Sequence, residues 1–170
     1  MRQLFAIVVA SAVILGGCAS VPESLQDAPA ASPTPADVRA EPERYTGTRV
    51  LWGGEVAEVI NGEDATRLAV VEHPLDSSAR PEPASASRGR FLARFDGFLD
   101  PVVYAPGEEV TVTGRVTGIE VRTVGDYPYR YPVVEVGGHE LWSERPPPAP
   151  PPGWYPGWWD CHYPWGCPAW

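Results

Sequence analysis

The sequence predicts an all-β protein: a small five- or six-stranded antiparallel barrel of OB-like type, with an extended N-terminal tether and a proline- and tryptophan-rich C-terminal tail. Three observations lead there. The run "EEVTVTGRVTGIEV" (108–121) alternates, with Val110, Val112, Gly114, Val116 and Gly118 on one face and Thr111, Thr113, Arg115 and Thr117 on the other. That is the period of two expected of a strand with one buried face. Asn61-Gly62 lies between two further β-rich runs, and this residue pair supplies the positive φ angles of a tight hairpin. No helical period stands out between the strand-like runs, and glycines recur inside them, where a tightly coiled barrel must bend or admit a neighbour. A small β-sandwich is the competing architecture, because strand number alone does not separate the two.

The chain opens with Arg2 and an almost unbroken apolar run from Leu4 to Leu15. A run of about a dozen residues is too short to cross a ~30 Å hydrocarbon core and has the length of an export signal. Leu15, Gly16, Gly17 and Cys18 then resemble the bacterial lipobox, in which the cysteine thiol is lipidated and the signal is cut just before it. Residues 1–17 are therefore expected to be a signal peptide and Cys18 the acylated first residue of the mature chain. One acyl chain binds a bilayer only reversibly, whereas two or three hold a protein essentially permanently. By the same resemblance, Ala19 lacks the acidic side chain associated with inner-membrane retention, so the expected location is the outer membrane, at its periplasmic face.

The stretch 18–46 is rich in Ala, Pro, Ser and acidic residues and shows no apolar period, so it reads as a flexible tether, part of which can dock on the domain, with Val21 the one early candidate for such a contact. At ~3 Å per extended residue it would let a domain stand several nanometres off the bilayer. The barrel is expected over 47–143. Its first hairpin pairs "TRVLWGGEVAEV" (48–59) with "TRLAVVE" (66–72), and "GRFLARF" (89–95) follows with Phe91, Ala93 and Phe95 on one face. The alternating run comes next, and "PVVEVGGHELW" (132–142) closes the set, broken by Gly137-Gly138. Loops 76–88 and 97–107 are the candidate contact regions.

The tail, 144–170, begins with six prolines among residues 146–152, a stiff polyproline II spacer, and ends in Trp154, Tyr155, Trp158, Trp159, Tyr163, Trp165 and Trp170. Such rings suit packing on the barrel or contact with a membrane interface, a protein or a glycan. Cys161 and Cys167 enclose "HYPWG" and, in an oxidising envelope, are a candidate disulfide. A metal site built on Cys161, His162 and Cys167 is disfavoured, because the spacing is unlike compact zinc motifs.

Arginine and lysine together number 13 against 22 acidic residues, giving a formal charge of −9. That balance disfavours nucleic acid and anionic headgroups as partners, since binding either starts with phosphate neutralisation by clustered cations. His73, Asp76 and Ser77 lie almost consecutively, unlike a triad that converges from separate elements, so no catalytic residues, cofactor or metal are expected.

Several segments together resemble a known family. "HPLDSSARP" (73–81), "GRFLARFDGFLDPVVYAPGEEVTVTGRVTG" (89–118), "LWGGEV" (51–56) and the "CASVP" start are similar to the Slp family of starvation-associated outer-membrane lipoproteins. The most specific positions are Pro74, Leu75, Asp76, Ala79, Arg80 and Pro81, with Gly97, Phe98, Leu99, Asp100 and Pro101. The resemblance implies an envelope lipoprotein with no established enzymatic activity, and the lipobox, the tether and the family-like loops together lead to the expectation of a structural or protein-interaction role in the envelope. The alternatives are a glycan- or small-ligand-binding envelope module and, less favoured, an envelope hydrolase. Within the two loops Asp76, Arg80, Phe98 and Asp100 are the candidate recognition residues, and Arg80 is placed to pair with Asp100 if the loops meet at one barrel end.

Overall fold

The computed structural model describes residues 21–143. Five strands, β1 (Arg49–Asn61), β2 (Ala65–His73), β3 (Arg90–Asp96), β4 (Glu109–Val124) and β5 (Tyr127–Leu141), close in the order β1-β2-β3-β5-β4. Closure decides for the barrel over the sandwich. Neighbours pair antiparallel except β3 and β5, which run parallel through Leu92↔Val133, Ala93↔Val134 and Arg94↔Glu135. The expected all-antiparallel arrangement is thereby corrected at one seam. A ring of five strands cannot alternate direction at every step, so an odd barrel needs one parallel pair.

The alternation read from the sequence is the inside-outside pattern of the barrel. Val110, Val112 and Val116 are buried inside, with Val50, Trp52 and Val56 of β1, Leu68 and Val70 of β2, and Phe91, Ala93 and Phe95 of β3. Trp52 and Phe91 meet with ring centroids 5.2 Å apart. Gly54 faces the same interior, where a Cβ would come within 1.8 Å of the Val71 carbonyl oxygen, so only glycine lets β1 and β2 approach this closely. Gly137 supplies the extra residue of a bulge, since Thr113 pairs with Gly138 and Gly114 with Val136.

β4 and β5 extend beyond the expected strands and meet at a two-residue turn, Gly125-Asp126, with Gly125 at φ +58°. The added part of β5 contains Pro128, and proline is rare inside sheets, so the residues before Pro132 carry no clear strand signal. Its distal part carries Val124, Tyr129 and Tyr131 onto Ala69, Leu92 and Val133, a second small cluster on the outer side of β2 and β3.

The largest correction concerns the N-terminal segment. From residue 22 the chain lies on the barrel as a strap and not as a mobile tether. A 3₁₀ turn (Glu23–Leu25) is followed by α1 (Pro35–Ala40) and α2 (Pro42–Tyr45), with Leu25 and Val38 fully buried. Each such side chain contributes about 1.5–3 kcal/mol when removed from water. Thr34 starts α1 through a capping box: its Oγ1 accepts from Asp37 N, and Asp37 Oδ2 accepts from Thr34 N at 2.8 Å. Pro35 fits the first helical turn, and Pro42 ends α1 while opening α2. The strap is fastened along β1, where Leu51 N donates to Ser32 Oγ and Trp52 Nε1 donates to Pro33 O at 2.7 Å. Docking is carried by Leu25 and Val38 and not by Val21, which is 38% exposed; six helical residues with two buried side chains leave no periodic signal.

Candidate functional site

The loop 74–81 is built by one carboxylate. Asp76 Oδ1 accepts from Ser78 N (2.8 Å), Ser78 Oγ (2.6 Å) and Arg80 N (3.0 Å), and Asp76 N donates to Arg80 O (2.9 Å). This is the local backbone bonding that aspartate favours in turns. It holds Ala79 at φ 68°, which turns its carbonyl onto the buried Thr111 hydroxyl at 2.7 Å. Gly53 lies below, where a Cβ would meet Thr111 Oγ1, a Leu75 methyl and the Val110 carbonyl, so the loop rests directly on β1 and β4.

Arg80 is aimed by this loop at the end of β5. Its Nε donates to Glu109 Oε2 at 2.6 Å, its Nη2 donates to Ser143 O at 2.6 Å, and its guanidinium lies 5.6 Å from the centroid of Trp142. Trp142 Nε1 in turn donates to Thr111 Oγ1 at 3.0 Å. These side chains, with Pro106, Gly107 and Glu108, line an open cleft of about 430 Å³. Arg80 and Glu109 retain only 17% and 13% exposure, so the arginine charge is matched at short range by a mostly dehydrated carboxylate. The cluster is a brace that ties loop 74–81 to the point where the chain leaves the barrel.

The second loop reaches this cleft through Pro106 and Gly107, while its first half is anchored elsewhere. Arg80 pairs with Glu109 and not with Asp100, which corrects the expected contact: Asp100 Oδ1 accepts from Val102 N at 2.8 Å and organises its own turn. Leu99 is fixed by Leu99 N donating to Thr66 Oγ1 and by Asn61 Nδ2 donating to Leu99 O. Phe98, Val102 and Val103 are left 71%, 85% and 51% exposed. Tyr104 turns inward to His139, with its hydroxyl 2.9 Å from Nε2, and Phe95 meets the same imidazole edge-on at 5.0 Å. Burial lowers the His139 pKa against a smaller opposing pull from Glu140, and burial raises that of Tyr104. A neutral imidazole accepting the Tyr104 proton satisfies both directions. Thus Asp76 and Arg80 are brought together, while Phe98 and Asp100 flank Leu99, which is anchored on Thr66 and Asn61.

The burial of two ionisable side chains at the end of β2 gave no sequence signal. Glu72 is 1% exposed and is held by the Arg88 guanidinium and by Arg88 N, tying the far end of loop 74–89 to β2. His73 Nδ1 lies 3.0 Å from Ser85 O, and since a carbonyl only accepts, that nitrogen holds the proton. Both lie in the apolar run "LAVVEH", where a glutamate gave no sign of being enclosed. Several arginines on the strands pair with acids: Arg67 with Glu120 at 3.1 Å, Arg122 with Glu120 at 3.5 Å and Arg94 with Glu135 at 3.5 Å. No group of three or more His, Cys, Asp or Glu able to hold a metal occurs among the described residues. The lipobox Leu15, Gly16, Gly17 and Cys18, and the candidate disulfide Cys161 and Cys167, lie outside the described residues.

Residues 15–170 match the model of the outer membrane lipoprotein Slp family. Over 135 residues the chain is 40% identical to an uncharacterized lipoprotein, YeaY, of Escherichia coli K12, covering 77% of this chain and 68% of the relative. It is 33% identical over 142 residues to the outer membrane protein Slp of the same organism, covering 82% and 75%. Among solved structures, a small single-stranded DNA-binding protein from Streptomyces coelicolor aligns with 56% of this chain and 94% of its own at 15% identity, with a TM-score of 0.31. A likeness that loose bears on neither the fold nor the function.

Proposed function

The chain belongs to the Slp family of outer membrane lipoproteins, and from that membership we propose that it is held at the periplasmic face by acyl chains on Cys18 and works there without catalysis, as a protein-contact module of the cell envelope. The observation that supports this reading is the form of loop 97–107. Leu99 and Tyr104 pack against the interior cluster, so the loop is firmly seated, yet Phe98, Val102 and Val103 point into solvent. Adjacent apolar side chains on a fixed loop are costly to leave wet and suit a protein partner. The interior itself is filled by side chains such as Trp52 and Phe91, which leaves the outer surface to make contacts.

A photo-crosslinking residue at Val102 in growing cells tests the reading. The expected result is a discrete adduct with an envelope protein that disappears with Phe98→Ser and is absent when the probe stands at Asp126. Identical adducts from both positions, or none from Val102, would overturn the contact role. Accumulation of the adduct on entry into starvation would place the contact in that response. Intact mass spectrometry of the mature chain should find it beginning at acylated Cys18, and non-reducing peptide mapping should find Cys161 joined to Cys167.

A further inference from the structure

Arginines on the strands and loops of this acidic chain, such as Arg67, Arg80, Arg88 and Arg94, each have a carboxylate partner. Arg39 and Arg130 have none among the described residues. Both line one open cleft of about 400 Å³ between α1 and the β4–β5 hairpin, with Ala36, Arg39 and Ala40 on one side and residues 127–130 on the other.

The two charges are brought there by the fold. α1 is started by the Thr34 capping box and seated by Val38 in the barrel interior, so Arg39, the next residue, is carried to the rim. Its guanidinium lies 4.8 Å from the centroid of Tyr129. That ring is itself fixed: its hydroxyl accepts from Arg90 N at 3.0 Å, and it meets Tyr131 with centroids 4.8 Å apart. A guanidinium held over an aromatic face can still present its N–H fork to a carboxylate through two parallel bonds. Asp37, on the same helix, is occupied, because its Oδ2 accepts from both Thr34 N and Thr34 Oγ1. Tyr127, 68% exposed, and Pro128 give the cleft an apolar lining beside its charges. Tyrosine and arginine are the side chains that protein contacts favour. At ~0.15 M salt a surface field decays over ~8 Å, so the formal charge of −9 spread over the chain does not by itself decide what this cleft attracts. Nucleic acid would ask for a longer row of cations.

We propose that this cleft receives an acidic segment of a partner protein, with a glutamate or aspartate carboxylate of that segment bound by Arg39 and Arg130 and its neighbouring residues lying on Tyr127 and Pro128. The surface shares no residue with loop 97–107 and takes a different partner, so the two contacts stand or fall separately.

The test uses the full mature chain in mild detergent and a fluorescent glutamate-rich peptide, with a glutamine-rich peptide of equal length as its neutral counterpart. Fluorescence anisotropy should show the glutamate peptide binding, with an affinity that falls as salt rises. Arg39→Gln and Arg130→Gln should each weaken binding about tenfold, the size of a lost charge-assisted hydrogen bond. Arg115→Gln, which removes the same charge outside the cleft, should keep the parent affinity, and so should Phe98→Ser. Arg130 is exposed, so Arg130→Gln should also keep the parent's urea midpoint, which separates loss of binding from loss of fold. Equal binding of the glutamine peptide, no binding of the glutamate peptide, or an equal loss in Arg115→Gln would overturn the site. Glycerol phosphate that binds through the same arginines while the glutamate peptide does not would overturn the acidic segment as its occupant. Loss of peptide binding in Phe98→Ser would overturn the separation of the two surfaces.

Discussion

Arg80 and Glu109 are joined by a 2.6 Å bond from guanidinium Nε to carboxylate Oε2, across the gap between loop 74–81 and the first residue of β4. The same guanidinium holds Ser143 O and faces Trp142, so one side chain ties together the loop, β4 and the end of the barrel. Arg80→Ala should cost about 2 kcal/mol, the range for hydrogen bonds to charged groups in a partly dehydrated setting. Urea unfolding would measure it, and arginine 145, beyond the described residues, serves as the neutral comparison. Arg80→Lys should recover only part of the loss, because lysine cannot reproduce the guanidinium fork.

Two glycines should respond differently to the same added methyl group. In Gly54→Ala the new Cβ meets the Val71 carbonyl oxygen at 1.8 Å, within the β1–β2 pairing itself, so the barrel should lose ~3 kcal/mol or more. In Gly138→Ala the Cβ meets Ser24 O, which belongs to the strap, and the strap can yield without opening the sheet. That variant should keep the barrel's unfolding midpoint within ~1–2 kcal/mol of the parent while exposing residues 22–26 to limited proteolysis. Equal global destabilisation of the two would contradict the strap's separate docking.

His139 sets a pH dependence with a definite sign. Burial holds its folded pKa below the ordinary imidazole value of 6.5, so the unfolded chain takes up a proton first as pH falls. Stability should therefore be full above 6.5, decline as pH drops below it, and level off once the folded imidazole protonates as well. Urea midpoints from about pH 8 to about pH 5 would trace this decline, above the range in which most carboxylates titrate. His139→Leu gives up the Tyr104 bond but should flatten that part of the profile. A midpoint that rises on acidification would mean that the imidazole is charged in the fold.

How much of this protein could be read from its residues follows from the range of the forces involved. Strand periodicity is local: alternate side chains face alternate sides of a strand, so Val110, Val112 and Val116 announced their burial without knowledge of any partner. Asn61-Gly62 marked the first hairpin for the same reason, although the turn forms with neither residue at positive φ, and Asp76 announced a turn because its side-chain bonds to Ser78 and Arg80 are local. The lipobox-like start and the loop motifs gave the family for the same kind of reason, as contiguous patterns. Tertiary structure decided what depends on distant pairs. Arg80 had several acids within its reach on paper, and only the path of β4 past the loop chose Glu109 over Asp100. The parallel β3–β5 seam arises from closing an odd ring, a condition on the whole barrel and not on either strand. The segment 22–45 has the composition of a tether, yet Leu25 and Val38 find a finished barrel to dock on, and their burial offsets an ordering entropy that the segment's composition alone could not.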